Sequence, residues 1–134
     1  MATIRPTRKT SHRIQPKRGE IYLTALDPAL GHEIKKTRPA LVIQNDTSNE
    51  YDATTIVAPI TSTLRLPLSP VHVLLPANSS TGLNVSSVAV FNQIRTADHR
   101  RLYKKLGEVD AAVMVEVDLA IQISLGLIPF GPRP

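Results

Sequence analysis

Apolar and polar positions alternate in short blocks along most of this chain and change period only near its end. Glu20 to Leu26 (EIYLTAL) is rich in β-formers and stops at Asp27-Pro28, where proline restricts the residue before it; this predicts a strand. Residues 27–37 (DPALGHEIKKT) break the pattern with Pro28, Gly31 and a charge cluster, a loop well above the usual length of about 4 to 6 residues. Pro39 to Gln44 (PALVIQ) has the continuous apolar character of a buried strand, with Pro39 acceptable at its first position. Asp46 then offers an N-cap for one helical turn over 46–50. Thr54 to Thr61 (TTIVAPIT) predicts a β-branched strand that is either an edge or bent at Pro59. After a Pro-rich loop through Pro67 and Pro70, strands are predicted at 71–75, where Val71, Val73 and Leu75 alternate with His72 and Leu74, and at 85–91. The basic stretch 97–105 (ADHRRLYKK) predicts a short helix, and 106–109 a brief strand.

The last segment fits both periods: Val113, Val115, Val117, Leu119, Ile121, Ile123 and Leu125 recur every second residue, while Val113, Val117, Ala120, Ile121 and Leu125 share a helical face. Punctuation and length decide for helix. Asp110 is a suitable N-cap, Gly126 a suitable C′ residue with Pro129 beyond it, and about fifteen residues exceed a normal strand. Five or six strands and one long C-terminal helix define an α+β, mainly β class, a small barrel rather than an alternating α/β fold.

Composition narrows this further. The 134 residues fit one domain, and 42% hydrophobic content excludes a wholly disordered chain. There is no cysteine, which removes disulfides, thiolate metal sites and thiol nucleophiles and makes the cytoplasm the default location. No apolar run is long enough for a membrane span, and residues 1–18 lack the apolar middle of a signal peptide. Of the sixteen lysines and arginines, six stand before Glu20 with no acid among them; the other ten face all eleven acids. The net charge of +5 therefore belongs to the N-terminus, and residues 1–16 read as a basic, disordered tail, 17–128 as the folded domain and 129–134 as a Pro-rich tail.

Neither a phosphate-binding Gly loop nor an HExxH motif is present, and the four histidines lack metal-ligand spacing, so no cofactor and no metal is expected. The chemistry-bearing cluster is the long loop, where His32, Glu33, Lys35, Lys36 and Arg38 fall within seven residues ahead of an apolar strand. Cleaving RNA through its own 2′-hydroxyl needs a base, an acid and cationic stabilisation of a crowded phosphate, which imidazole, carboxylate and guanidinium supply together. A solvated charged loop has the same composition.

Three ordered motifs bear on that choice. Arg18-Gly19-Glu20-Ile21-Tyr22 through Leu26-Asp27-Pro28, Gly31-His32-Glu33 and Thr37-Arg38-Pro39-Ala40-Leu41-Val42-Ile43 with Gln44-Asn45-Asp46 is the first. Val57-Ala58-Pro59-Ile60-Thr61-Ser62 and Gln93-Ile94-Arg95-Thr96-Ala97-Asp98 are the others. Together they resemble the MazF/PemK (Kid) family of toxin ribonucleases over about residues 17–127. The resemblance implies an SH3-like barrel, usually homodimeric, that cuts single-stranded RNA at short sequences without metal and is inhibited by a small antitoxin. Carried over by position, Arg38 matches the family's catalytic arginine and Thr61 its catalytic threonine. Arg38 would stabilise the phosphorane and Thr61 would orient the scissile phosphate.

His32 reproduces the histidine that follows the loop glycine in the PemK branch, a possible base or phosphate contact. That branch also carries Arg-x-Asp before the glutamine of the third motif, where this chain has Val90-Phe91-Asn92; an amide is no base, and the base stays open between His32, Glu33 and another group. Glu33, Lys35, Lys36, Asn92 and Gln93 complete the expected substrate-binding set, the lysines by phosphate attraction and the amides by reading base edges or tying strands together. With few aromatics, specificity must come from hydrogen bonds and groove shape. The expected partners are single-stranded mRNA, a second copy of the chain with the RNA groove across the interface, and an antitoxin whose acidic, partly disordered segment fills that groove. A gyrase-binding toxin of the CcdB type, with the same fold and no nuclease chemistry, is the alternative.

Overall fold

The computed structural model describes residues 14–132. Seven strands and two helices follow in the order β1 (Glu20–Ala25), β2 (Thr37–Val42), α1 (Asp46–Tyr51), β3 (Thr54–Thr61), β4 (His72–Leu75), β5 (Ser87–Val90), β6 (Arg95–Asp98), β7 (Leu102–Glu108) and α2 (Ala111–Ser124). Short 3₁₀ turns, Phe91–Gln93 and His99–Arg101, precede β6 and β7. The strands form one antiparallel sheet in the order β4-β5-β3-β2-β1-β7, with β6 branching from β3.

Alternation within the strands sends successive side chains to two cores. Ile21, Leu41, Ala58, Ile60, Ala89 and Phe91 pack under α2 through Val117 and Ala120, while Tyr22, Ala40, Val42, Val57, Ala97 and Leu102 form the second cluster on the opposite face. The ends of the strand path are drawn together by the β4–β5 loop, whose Ser80 carbonyl accepts from Glu108 N–H at 2.8 Å. Backbones meet there: a Cβ on Gly107 would lie 2.1 Å from the Ser80 oxygen, and one on Gly82 1.9 Å from the Leu106 oxygen. Only glycine tolerates that approach, and Gly82 also has a positive φ of 69°.

α2 begins and ends as its punctuation predicts: Asp110 accepts from Val113 N–H at 2.9 Å, and Gly126 follows with φ 77°. Four details differ from the expectations. The N-cap of α1 is Asn45, whose side chain accepts from Ser48 N–H, not Asp46. Pro39 lies inside β2 opposite Leu23; pairing with β3 starts only at Ala40, so Pro39 has one open edge where no donor is required. β3 is not an edge: it pairs with β2 on one side and successively with β6 and β5 on the other, and Pro59 stands where the partner changes. The predicted helix over 97–105 is instead the end of β6, a 3₁₀ turn capped by Asp98, and most of β7. β7 is an edge strand with two register irregularities against β1, so the alternation that would announce it is lost and its exposed Tyr103, Lys104 and Lys105 read as helix-compatible.

Of the expected N-terminal tail, residues 1–13 lie outside the described residues. Ile14 packs on the second cluster, Gln15 donates to the Asn49 carbonyl at 2.8 Å, and Pro16 is buried. Of the Pro-rich C-terminal segment, 133–134 likewise lie outside the described residues; Phe130 is exposed. Among the described residues no helix is long and apolar enough to cross a membrane.

Candidate active site

The β1–β2 loop, residues 26–36, is fastened at its base, its crown and its flank. At the base, Leu26 N–H donates to the Lys36 carbonyl at 2.9 Å and Lys36 N–H to the Asp27 carboxylate at 2.9 Å, with Lys36 in the left-handed region at φ 73°. At the crown, Glu33 Oε1 accepts from Leu30 N–H at 2.7 Å, so this carboxylate caps its own loop rather than pairing with Lys35 or Lys36. On the flank, Gln93 Oε1 accepts from Ile34 N–H at 2.7 Å while its amide nitrogen donates to the His32 carbonyl at 3.4 Å. Gln93 is itself held in place by fully buried Phe91, whose carbonyl accepts from Ser124 Oγ of α2 at 2.8 Å. The third motif therefore positions the first. Arg95 donates to the Leu26 carbonyl at 2.7 Å, and Arg101 donates to the Ala25 and Asp27 carbonyls.

Between this loop and the β3 end of the sheet runs a groove of two connected cavities. One, of about 450 Å³, is lined by Pro28, Glu33, Pro59, Arg95 and Thr96; the other, of about 410 Å³, by Thr61, Thr63, Arg65 and His72, and both share Ile34, Asn92 and Gln93. The β3–β5 and β4–β5 registers explain the second. Thr61 faces Val88 and His72 faces Val90, so both project from the face of β5 that carries these two valines.

Arg38, the second residue of β2, lies opposite Thr24, and its Nε donates to the Lys35 carbonyl at 2.8 Å. The β2–β3 pairing ends at Ala40 opposite Pro59, and Arg38 and Thr61 each lie two residues beyond that pair on the same side of it. The two expected catalytic positions thus come from different motifs to neighbouring strand ends. Thr61 Oγ1 accepts from Thr63 N–H at 3.2 Å. Glu33, Asn92 and Gln93 line the groove; His32, Lys35 and Lys36 are exposed on the loop beside it. Among the described residues no three acids or histidines gather as a metal site.

Sequence reasoning missed His72 and Arg65. Arg65 lay in what read only as a Pro-rich loop, but His72 had a signal, a polar position alternating with core residues in a short strand. Its imidazole pKa is pushed below the ordinary value by burial, against a side-chain hydrogen bond with Asn92 that raises it.

An antiparallel sheet covered by one helix, with an amide-lined groove beside the end of β3, defines the class of small, mainly β fold. Residues 17–125 match the model of the PemK-like, MazF-like toxins of type II toxin–antitoxin systems, and the chain belongs to that family. It is 44% identical over 114 residues to the endoribonuclease EndoA of Bacillus subtilis strain 168, covering 85% of this chain and 97% of that protein. It is 43% identical to the endoribonuclease MazF of Staphylococcus epidermidis, covering 83% and 92%. Among solved structures it resembles MazF from Deinococcus radiodurans at 32% identity and a TM-score of 0.71, over 84% of this chain and 98% of that one. A mycobacterial endoribonuclease in complex with its cognate antitoxin matches at 27% identity and a TM-score of 0.70, over 87% and 99%. These relatives favour the enzymatic reading over the gyrase-binding one.

Proposed function

We propose that this toxin acts in the cytoplasm as a sequence-specific endoribonuclease on single-stranded RNA, by metal-independent attack of the 2′-hydroxyl on its adjacent phosphate. The products are a 2′,3′-cyclic phosphate and a 5′-hydroxyl. The observation that carries the reading is that Arg38 and Thr61 stand at the same end of the adjacent strands β2 and β3, where Thr61 lines the groove. In that geometry Arg38 binds the non-bridging oxygens and offsets the charge that builds on the phosphorane, while Thr61 holds the phosphate in line through its hydroxyl. An arginine is a poor proton donor at its ordinary pKa, so its role is electrostatic. Lys35 and Lys36 attract the RNA backbone. The proton from the 2′-hydroxyl goes to a base on the loop, His32 or Glu33, or to another group, and the departing 5′-oxygen takes a proton from that group or from water to become the 5′-hydroxyl.

A cognate antitoxin and a second copy of the chain complete the reading. Supporting the homodimer, Val115, Leu125, Leu127 and Phe130 leave apolar surface exposed on and after α2. The deciding experiment incubates the purified protein with a single-stranded RNA pool in EDTA. Cleavage persists, and the new 5′ ends accept label from polynucleotide kinase without prior dephosphorylation. Cleavage abolished by the chelator, or 5′-phosphate ends, would overturn the mechanism.

A further inference from the structure

We infer that His72 is a specificity-determining residue: it fixes the side-chain amide of Asn92 so that the second cavity accepts one unstacked nucleobase beside the scissile phosphate. The inference rests on the ribonuclease reading and adds to it a subsite with a stated chemistry.

Four observations converge on this pair. His72 and Thr61 project from one face of the sheet on either side of β5, about two strand spacings across and one pleat along, which sets His72 a short reach from the phosphate that Thr61 orients. The cavity is lined both by apolar side chains, among them buried Val88 and Val90, and by polar ones, among them Thr61, His72 and Asn92. Apolar surface beside polar groups suits a flat heterocycle whose information lies at its rim. Gln93 is committed to the β1–β2 loop, which leaves Asn92 as the exposed amide of the 3₁₀ turn. Finally, Asn92 is hydrogen-bonded to the His72 ring, and both side chains line the same cavity.

The last point gives the subsite its chemistry. An asparagine amide can turn end for end, presenting either an acceptor or two donors. A His72 ring N–H donating to the amide oxygen leaves the Asn92 NH₂ group for the cavity, and a donor at that point selects a base with a carbonyl oxygen there, O4 of uracil or O6 of guanine, over one with an amino group in that place, cytosine or adenine. Burial disfavours the charged form of the ring, and Arg65 lines the same cavity.

The test sequences the ends produced from a random single-stranded RNA pool by the wild type, His72→Leu, His72→Gln and Asn92→Ala. Wild type prefers a carbonyl-bearing base at one position flanking the cut. His72→Leu, which keeps bulk but no donor, lowers that preference about tenfold, the worth of one hydrogen bond of discrimination, and keeps the preferences elsewhere. His72→Gln, which restores an N–H, restores it, and Asn92→Ala abolishes it at the same position. An unchanged cleavage pattern in His72→Leu and Asn92→Ala overturns the inference, as does a uniform loss of rate with every preference intact, or a lost preference for an amino-bearing base. Should His72→Leu not fold, by thermal melting, His72→Gln and Asn92→Ala decide alone. A wild type that cuts no RNA fails the ribonuclease reading itself, whereas sharp wild-type preferences unmoved by these variants fail only the subsite.

Discussion

Two sets of arginines lie within one small sheet and have opposite fates. Arg18 donates from Nε to the Ile43 carbonyl at 2.8 Å and pairs with Asp118 at 2.6 Å; Arg95 and Arg101 donate to backbone carbonyls at the end of β1 and in the loop after it. Each joins segments far apart in sequence, and each guanidinium has protein partners that hold it. Arg38 differs: among the described residues its one bond runs from Nε to the carbonyl of Lys35, three residues away, and no carboxylate pairs with it. A bond to a near neighbour orients the side chain without occupying the guanidinium edge that would meet a phosphate. Arg18, Arg95 and Arg101 thus hold segments of the chain together, while Arg38 keeps its guanidinium edge for an anion. Charge alone does not separate the two sets; what each cation already touches does.

The contrast breaks most sharply at Arg38. If its charge acts on the phosphorane, Arg38→Ala lowers kcat by on the order of 10² to 10³ with a smaller change in RNA affinity and no change in melting temperature. Arg95→Ala does the reverse. It leaves the carbonyl of fully buried Leu26 without its donor, a loss of about 1–3 kcal/mol of stability seen in urea titration, and affects cleavage only through the loop. An Arg38→Ala protein that cleaves at the wild-type rate would end both the comparison and the proposed mechanism.

How much of this was legible beforehand follows the range of the interactions. α2 could be read because its signals, Asp110 and Gly126, sit at its ends, and the loop could be read because its five chemistry-bearing residues are contiguous. β6 and β7 could not, because β7 owes its strand to pairing with β1 some eighty residues earlier, through bulges that erase its alternation. Pro39 was misplaced for the same reason, and at Pro59 the edge and the bend could not be told apart: both prolines are tolerated where a strand lacks or changes a partner, and partners are not written locally. The groove is the extreme case. Thr61, His72 and Asn92 come together only through the registers of β3, β5 and β4, so His72 gave no more warning than a polar position alternating with core residues in a short strand.

A smaller effect sharpens the distinction between holding and acting at Gln93, which was expected to bind substrate or tie strands. Its two bonds to the loop assign it the second role. Gln93→Ala leaves Ile34 N–H without its partner and costs about 1 kcal/mol. The loop becomes more open to amide hydrogen exchange at Ile34, and activity falls by raising KM and lowering kcat together, as loosened positioning does. A variant that loses base preference at one position while hydrogen exchange stays unchanged would make Gln93 a reader and not a brace.

The smallest expected effect lies at the far edge of the sheet, where Lys105 pairs with Glu20 at 2.9 Å and Tyr22 OH donates to the same carboxylate at 2.8 Å. Hydrogen bonding to Glu20 raises the Lys105 pKa above its ordinary value; burial first, and then the bond to Glu20, raises that of Tyr22. Both shifts have the same sign for stability. A group whose pKa is higher in the folded state contributes fully below its unfolded value and loses that contribution as pH rises through the folded one. The melting temperature should therefore hold steady from pH 7 to about 9.5 and fall above the unfolded values of about 10 to 10.4, as tyrosine and lysine begin to deprotonate in the unfolded chain. The Lys105 side chain is 46% exposed, so water screens most of its share. Lys105→Gln should melt slightly below wild type at pH 8, and the gap should close by about pH 11.5. A gap that stays constant across that range would mean that Lys105 acts through packing of its methylene stem against the sheet and that its charge contributes nothing at this edge.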